Sequence, residues 1–258
     1  LAHLLLTEPK IEAPALDQYK TVTKQVLEEM DRNPMMLGSM LAASAPYPAS
    51  DIRTQPLTEA QVDAITLEHA QAWLEKLIKE SPIEVTIVGD LPKERAMELA
   101  ATYLGSLPTR EKVTPEAYMK LRTLEKHKGG HTISRDLETQ TKQAFVYSGF
   151  YGADEKNLAD VRALNLAARI LSTRMVKEVR EDAQLVYSIS AGSRAGQTFP
   201  GFGTFAAAAP TDPAKADALT KKLSEMYAAF AKEGPTEEEM TVAKKQMATM
   251  LDEQMIEP

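Results

Sequence analysis

Residues 168–193, ARILSTRMVKEVREDAQLVYSISAGS, join an amphipathic helix to a strand across a charged turn, and no other stretch limits the fold as tightly. The helix carries apolar residues at Leu158, Val161, Leu164, Leu166, Ala168, Ile170 and Leu171, so it has one face to bury. The strand expected over 185–193 must pair. Arg180 and Tyr187 stand seven residues apart across the junction. Their side chains suit one task, since a guanidinium is a fixed fork of donors and a phenol is a neutral donor that stabilises charge developing on an oxygen. Residue type alone leaves a plainer reading open, with Arg180 serving the negative end of a helix dipole and Tyr187 packing half-buried at the start of a strand.

The rest of the chain alternates helices and strands. Residues 15–44 show a helical stripe through Leu16, Tyr19, Val22, Val26, Leu27 and Met30, interrupted near Asn33 and Pro34. Thr58 with Gln61 reads as a capping box, Thr66 as the cap of a longer helix holding Trp73, Leu74 and Leu77, and Thr236 with Glu239 as a second box opening a helix over 236–256. Ile83, Val85 and Ile87 alternate with Glu84 and Thr86, which predicts a strand over 83–90 with one buried face. Further strands are expected over 143–151 and 203–209, and a further helix over 213–232. The Gly-rich joint SRAGQTFPGFG reads as mobile. Strands linked by short connections, with helices inserted in pairs, place the chain in the α+β class with a largely antiparallel sheet. The polar stretch 111–130 is the expected linker between blocks 1–110 and 131–258.

Several functions are excluded early. A net charge of −7 spread along the chain offers no basic patch for nucleic acid. The absence of cysteine removes disulfides and thiolate chemistry, and apolar runs fall far short of the roughly 20 residues of a membrane span. Gly89-Asp90 ends a predicted strand, yet no G-x-G-x-x-G or G-K-[ST] accompanies it. Of the four histidines, His3, His69, His127 and His131, only the last two are near neighbours. Gly129 and Gly130 between them oppose the helix that would bring both rings to one face, and His69 reads as a solvated residue. No metal is expected in this chain.

The words I-L-S-T-R-M and V-R-E-D-A-Q-L-V-Y-S, over 170–175 and 179–188, resemble the C-terminal, non-zinc half of M16 metallopeptidases, the insulinase, pitrilysin and mitochondrial processing peptidase family. IEVTIVGDLPKERAMELAATYLGSLP at 83–108 and TEEEMTVAKKQMATML at 236–251 resemble two further segments of that family, in the same order. The likeness covers most of residues 57–257. It implies an α+β repeat with helices on one face of a largely antiparallel sheet, with 1–110 as the latter half of one repeat and 131–258 as the first half of the next. It further implies that Arg180 and Tyr187 hydrogen-bond a peptide substrate inside a closed chamber. Zinc in that family is held by H-x-x-E-H, which this chain lacks, so the resemblance implies a metallopeptidase whose zinc sits outside it, in an N-terminal half or a catalytic subunit, with no catalytic residue and no activity in this chain alone.

A catalytically silent scaffold or assembly subunit of the same family is the alternative, and retention of both Arg180 and Tyr187 argues against it. The short opening LAHLLL is not a complete signal peptide, and the chain reads as an internal fragment. Bacterial periplasm and cytoplasm both fit. Incomplete sheets in each block predict that the 83–90 strand joins those of the second block in one permuted domain, or else that two chains exchange halves and self-associate.

Overall fold

The computed structural model describes residues 2–139 and 142–256. In chain order its helices and strands are α1 (Ala2–Thr7), α2 (Ala13–Met30), α3 (Pro34–Ser44), α4 (Glu59–Asp63), α5 (Leu67–Glu80), α6 (Lys93–Leu104), α7 (Met119–Arg122), β1 (Ala144–Tyr151), α8 (Leu158–Met175), β2 (Ser190–Arg194), β3 (Thr204–Thr211), α9 (Ala216–Glu233) and α10 (Glu237–Ile256). Two compact units form. Unit 1 is Leu1–Leu27 with Leu57–Lys120, and unit 2 is Glu28–Pro56 with Leu121–Pro258. The units interleave along the chain, because residues 34–53 pack with residues beyond 121.

Local side-chain chemistry starts and stops the helices. Asn33 caps α3, accepting from the Met35 and Met36 amides while Pro34 occupies the first turn. Thr58 and Gln61 exchange both bonds of a capping box on α4, and Thr66 accepts from the His69 amide at the head of α5. Thr236 and Glu239 do the same for α10, at 2.7 and 3.2 Å. Gly234, with φ 71°, ends α9 and donates to Phe230 O at 2.9 Å.

Unit 2 contains the sheet, in the order β1-β3-β2 with both pairs antiparallel. Tyr151 pairs with Thr204 and Ala144 with Thr211 at the two ends of β1, while Ser190 pairs with Ala208 and Arg194 with Thr204. Along β3 every second residue is buried, which places Phe205, Ala207, Ala209 and Thr211 on one face. That face meets Leu171, Met175 and Val179 from the α8 side and Leu219, Leu223 and Met226 of α9, closing a single core. Ser172 of α8 accepts a hydrogen bond from the Ala191 amide at 2.8 Å, which occupies the outer edge of β2 and ties the strand to the helix. At β1, Gly38 of α3 lies so close to Phe145 that a Cβ there would overlap the ring.

Unit 1 is helical. Gln71 of α5 donates to Pro9 O and accepts from the Ile11 amide, both at 2.8 Å, which fastens the turn between α1 and α2. His3 Nδ1 lies 2.7 Å from Tyr103 O of α6, and Arg110 donates to Ile78 O at 2.8 Å. Val62 is fully buried.

Three expectations are corrected. Residues 83–90 form no strand: among the described residues the sheet has three members, and Val85, Ile87 and Val88 are 52, 48 and 90% exposed. The permuted sheet is therefore not what forms. Alternation selects a face but cannot supply a partner, and among its described residues unit 1 has no other strand to pair with. The strand expected over 185–193 begins only at Ser190, with a single bridge from Val186 to Thr211 before it and the left-handed Gln184 just ahead of that bridge. The Gly-rich joint is fastened. Gly201 N–H donates to Asp154 Oδ1 at 2.6 Å, Gly196 N–H to Ala153 O at 2.9 Å, and Arg122 grips Gln197 O and Thr198 O at 2.5 and 2.8 Å. Among the described residues no helix is long and apolar enough to cross a membrane.

Candidate functional site

Helix α8 is anchored by Ala168, Ile170, Leu171 and Met175, then widens at Val176–Asp182 into a π-helical winding that carries Arg180. Such a winding takes one extra residue per turn and is rarely kept without a local use. Here Ala183 N–H donates to Glu178 O, five residues back, at 3.2 Å. Gln184 then turns left-handed at φ 51°, and Leu185 N–H closes onto Val179 O at 3.0 Å. The chain emerges pointing at Tyr187.

The result is one exposed pair beside two buried anchors. Val179 and Val186 are 0 and 9% exposed, whereas their neighbours Arg180 and Tyr187 both face outward, Tyr187 at 83%. The guanidinium carbon of Arg180 lies 5.5 Å from the centroid of the Tyr187 ring, a cation–π approach. Within the described residues Arg180 makes no hydrogen bond or ion pair, and the Tyr187 hydroxyl has no partner. Tyr187 therefore does not pack half-buried in a strand; it precedes β2 and stands out from it. Two donor groups are held together with their donors unused.

Charged contacts secure the support around this pair. Lys222 of α9 bonds Glu178 of the π-helical winding at 2.7 Å. One turn earlier Arg174 holds Glu239 of α10 through two bonds at 2.6 and 2.7 Å and also donates to Gly234 O. The Arg174 hydrogen bonds keep the Glu239 carboxyl down to about 2, opposed by partial desolvation. A shallow cavity of about 150 Å³ lies between these groups, lined by Arg174, Glu178, Lys222, Glu225, Met226 and Ala229. It includes neither Arg180 nor Tyr187.

The histidines assemble differently from what their spacing suggests. His127 and His131 lie in a loop that contains Gly129 at φ 83°, and their rings lie against one another with centroids 3.9 Å apart and planes tilted by 36°. Their Nε2 atoms are 3.2 and 3.0 Å from the same Ala45 carbonyl, so the pair fastens the 124–131 loop to the end of α3. A loop, not a helix, brings the two rings together. Beside them Tyr151 donates to Pro46 O at 2.6 Å, and Tyr47, Phe199, Phe202 and Tyr151 form an aromatic cluster that the sequence pattern did not reveal. Asp154, which receives the Gly201 amide, carried no signal beyond its place before a helix. His69 is exposed on α5. Among the described residues no group of three or more His, Asp or Glu side chains is placed to hold a metal ion, so the residues present do not fit the zinc of the M16 resemblance.

Residues 64–247 match the family model of the peptidase M16 inactive domain. The chain belongs to that family. The M16 inactive-domain fold is also shared by solved structures of low identity. The peptidase M16 inactive domain from Pseudomonas fluorescens superposes with a TM-score of 0.70 at 21% identity, over 95% of this chain and 58% of that one. The periplasmic protease PqqL from Escherichia coli gives 0.68 at 20% identity, over 94% and 26%. A chain of complex III2 from Candida albicans gives 0.67 at 16%, over 98% and 60%. This M16 chain thus spans between about a quarter and three fifths of the structures it resembles. No curated protein matches it by sequence.

Proposed function

We propose that this chain is the C-terminal, non-zinc portion of an M16-type zinc metallopeptidase, forming part of a chamber wall and presenting Arg180 and Tyr187 to a peptide substrate. One observation carries the reading: the guanidinium and the phenol lie against one another, exposed and with free donors, on a π-helical turn in a member of this family. A peptide carbonyl meeting this pair could accept from Arg180 and Tyr187 together, and a phenol O–H strengthens its bond as negative charge gathers on the oxygen. Zinc would be held by the N-terminal half or a catalytic subunit. Residues 1–110 and 131–258 are, on this reading, the latter half of one repeat and the first half of the next.

The complete protein tests it. Tyr187→Phe is expected to lower kcat/KM by roughly 10- to 1000-fold, as for loss of one oxyanion donor, with bound zinc unchanged. An unaltered rate would return Tyr187 to a structural role. Likeness to a complex III2 chain motivates the second reading, a silent scaffold or assembly subunit. A complete protein that carries the intact zinc motif and hydrolyses peptides excludes it.

A further inference from the structure

The segment from Arg180 to Tyr187 contains a strained stretch of backbone. Gln184 is the only non-glycine residue with positive φ among the described residues, at 51°, a conformation that costs an L side chain and persists only where the surroundings impose it. Two consecutive carbonyls of this turn are taken by the end of β3 and the connection after it: Thr211 Oγ1 donates to Leu185 O at 2.6 Å and Lys215 Nζ to Gln184 O at 2.8 Å. Thr211 is buried at 7% exposure and pairs through its backbone with Val186, so the grip belongs to the core rather than to a surface loop. Lys215 sits one 3₁₀ turn farther on, where Asp212 caps Pro213–Lys215.

Removing the grip would have a directional effect. Arg180 is set by the π-helical winding and Tyr187 by the strand side, so the angle of the intervening turn sets how closely the two side chains can approach. Were Leu185 O released, Gln184 could relax toward negative φ, and Tyr187 would swing with the chain that follows it. A displacement of about 1 Å between two groups that act on one substrate oxygen is enough to cost on the order of 100-fold in rate.

We infer that Thr211 and Gln184, supported by Lys215, are positioning residues for the Arg180/Tyr187 pair: the Thr211 hydroxyl holds the left-handed turn at Gln184 that brings the phenol beneath the guanidinium. This rests on the proposed substrate-binding role of the pair, and its test separates the two. In the 258-residue chain, the Tyr187 ring is expected to shift the Arg180 Nε–H resonance, and Tyr187→Leu identifies that shift by abolishing it. Thr211→Val keeps the shape and removes the hydroxyl, and is expected to lose at least about half of the shift. Thr211→Ser restores it. Gln184→Gly retains it, since glycine adopts the same φ freely, whereas Gln184→Val loses it. Gln184 is exposed, so the last variant remains informative even if Thr211→Val does not fold.

In the complete enzyme, Thr211→Val should reduce kcat/KM about 10-fold, mainly through kcat, with Thr211→Ser within about twofold of wild type. A full ring-current shift in both Thr211→Val and Gln184→Val overturns the inference, whatever Arg180 and Tyr187 do. Loss of the shift in those variants, together with wild-type rates for Arg180→Ala and Tyr187→Phe, upholds the positioning geometry and sinks the substrate-binding reading instead.

Discussion

Unit 2 closes its apolar residues around one core, and unit 1 leaves most of its own in the open. Of the buried apolar side chains among the described residues, Val62 is in unit 1 and all the others, from Ala168 to Ala243, are in unit 2. Amphipathic patterning does not separate them, because α5 of unit 1 presents an apolar stripe as clear as that of α9. What differs is the second layer. In unit 2 the buried face of β3 meets α8 and α9, so Leu171, Leu219 and Leu223 have partners on every side. In unit 1 the apolar side chains of α5, α6 and the 82–88 segment lack a sheet to pack on, and Trp73, Met97 and Val85 stand at 64, 65 and 52% exposed. Burial is a property of pairs of surfaces, and a stripe needs a partner to become a core.

Hydrogen exchange should break or sharpen this contrast most. The β3 amides, paired on both sides, are expected to exchange on the order of 10⁴-fold more slowly than the amides of residues 83–88, which make no ladder. Equal protection in the two segments would show that 83–88 finds a partner strand in solution. Next in size is the response to truncation. Leu219→Ala in unit 2 should destabilise by about 2–5 kcal/mol in urea unfolding, whereas Trp73→Ala in unit 1 should stay within about 0.5 kcal/mol. A large loss for Trp73→Ala would mean that its exposed ring is covered in solution.

The smallest effect concerns pH. Glu239 is held down to about 2 by Arg174, against an ordinary glutamate value of about 4.3. Its folded value lies below its unfolded value, so the stability it contributes is present above about 4.3 and is lost as pH falls toward 2. Wild type minus Glu239→Gln, measured by urea midpoint, should therefore differ by about 1 kcal/mol at pH 7 and converge as pH drops through that window. A difference that is flat with pH would remove the ion pair as its cause.

Local rules could be read from the residues with little help. Thr58 with Gln61, Thr66 and Thr236 with Glu239 mark helix starts because their side chains satisfy amides two or three residues away, and no distant part of the chain is needed. The family, too, was legible in the order of its motifs. Strand membership was not. Residues 83–87 and 204–211 both offer alternating or small apolar side chains, but only the second lies between two antiparallel neighbours that share its core face.

The candidate site divides along the same line. Arg180 and Tyr187 could be chosen from the sequence as residue types able to share a substrate oxygen, and from the resemblance that surrounds them. Their stacking depended on features with no local signature: the extra residue of the π-helical winding, the left-handed Gln184 and the Thr211 hydroxyl that reaches Leu185 O from 26 residues away. Likewise His127 and His131 met at one carbonyl only because α3 offered it 80-odd residues earlier. Sequence by itself determined the caps, the helical stripes and the identity of the exposed pair, since these follow from interactions within a few residues. Tertiary structure alone decided which alternating segment became a strand, which apolar face became a core and how two exposed side chains came to touch, because each of those outcomes requires a partner distant in the chain.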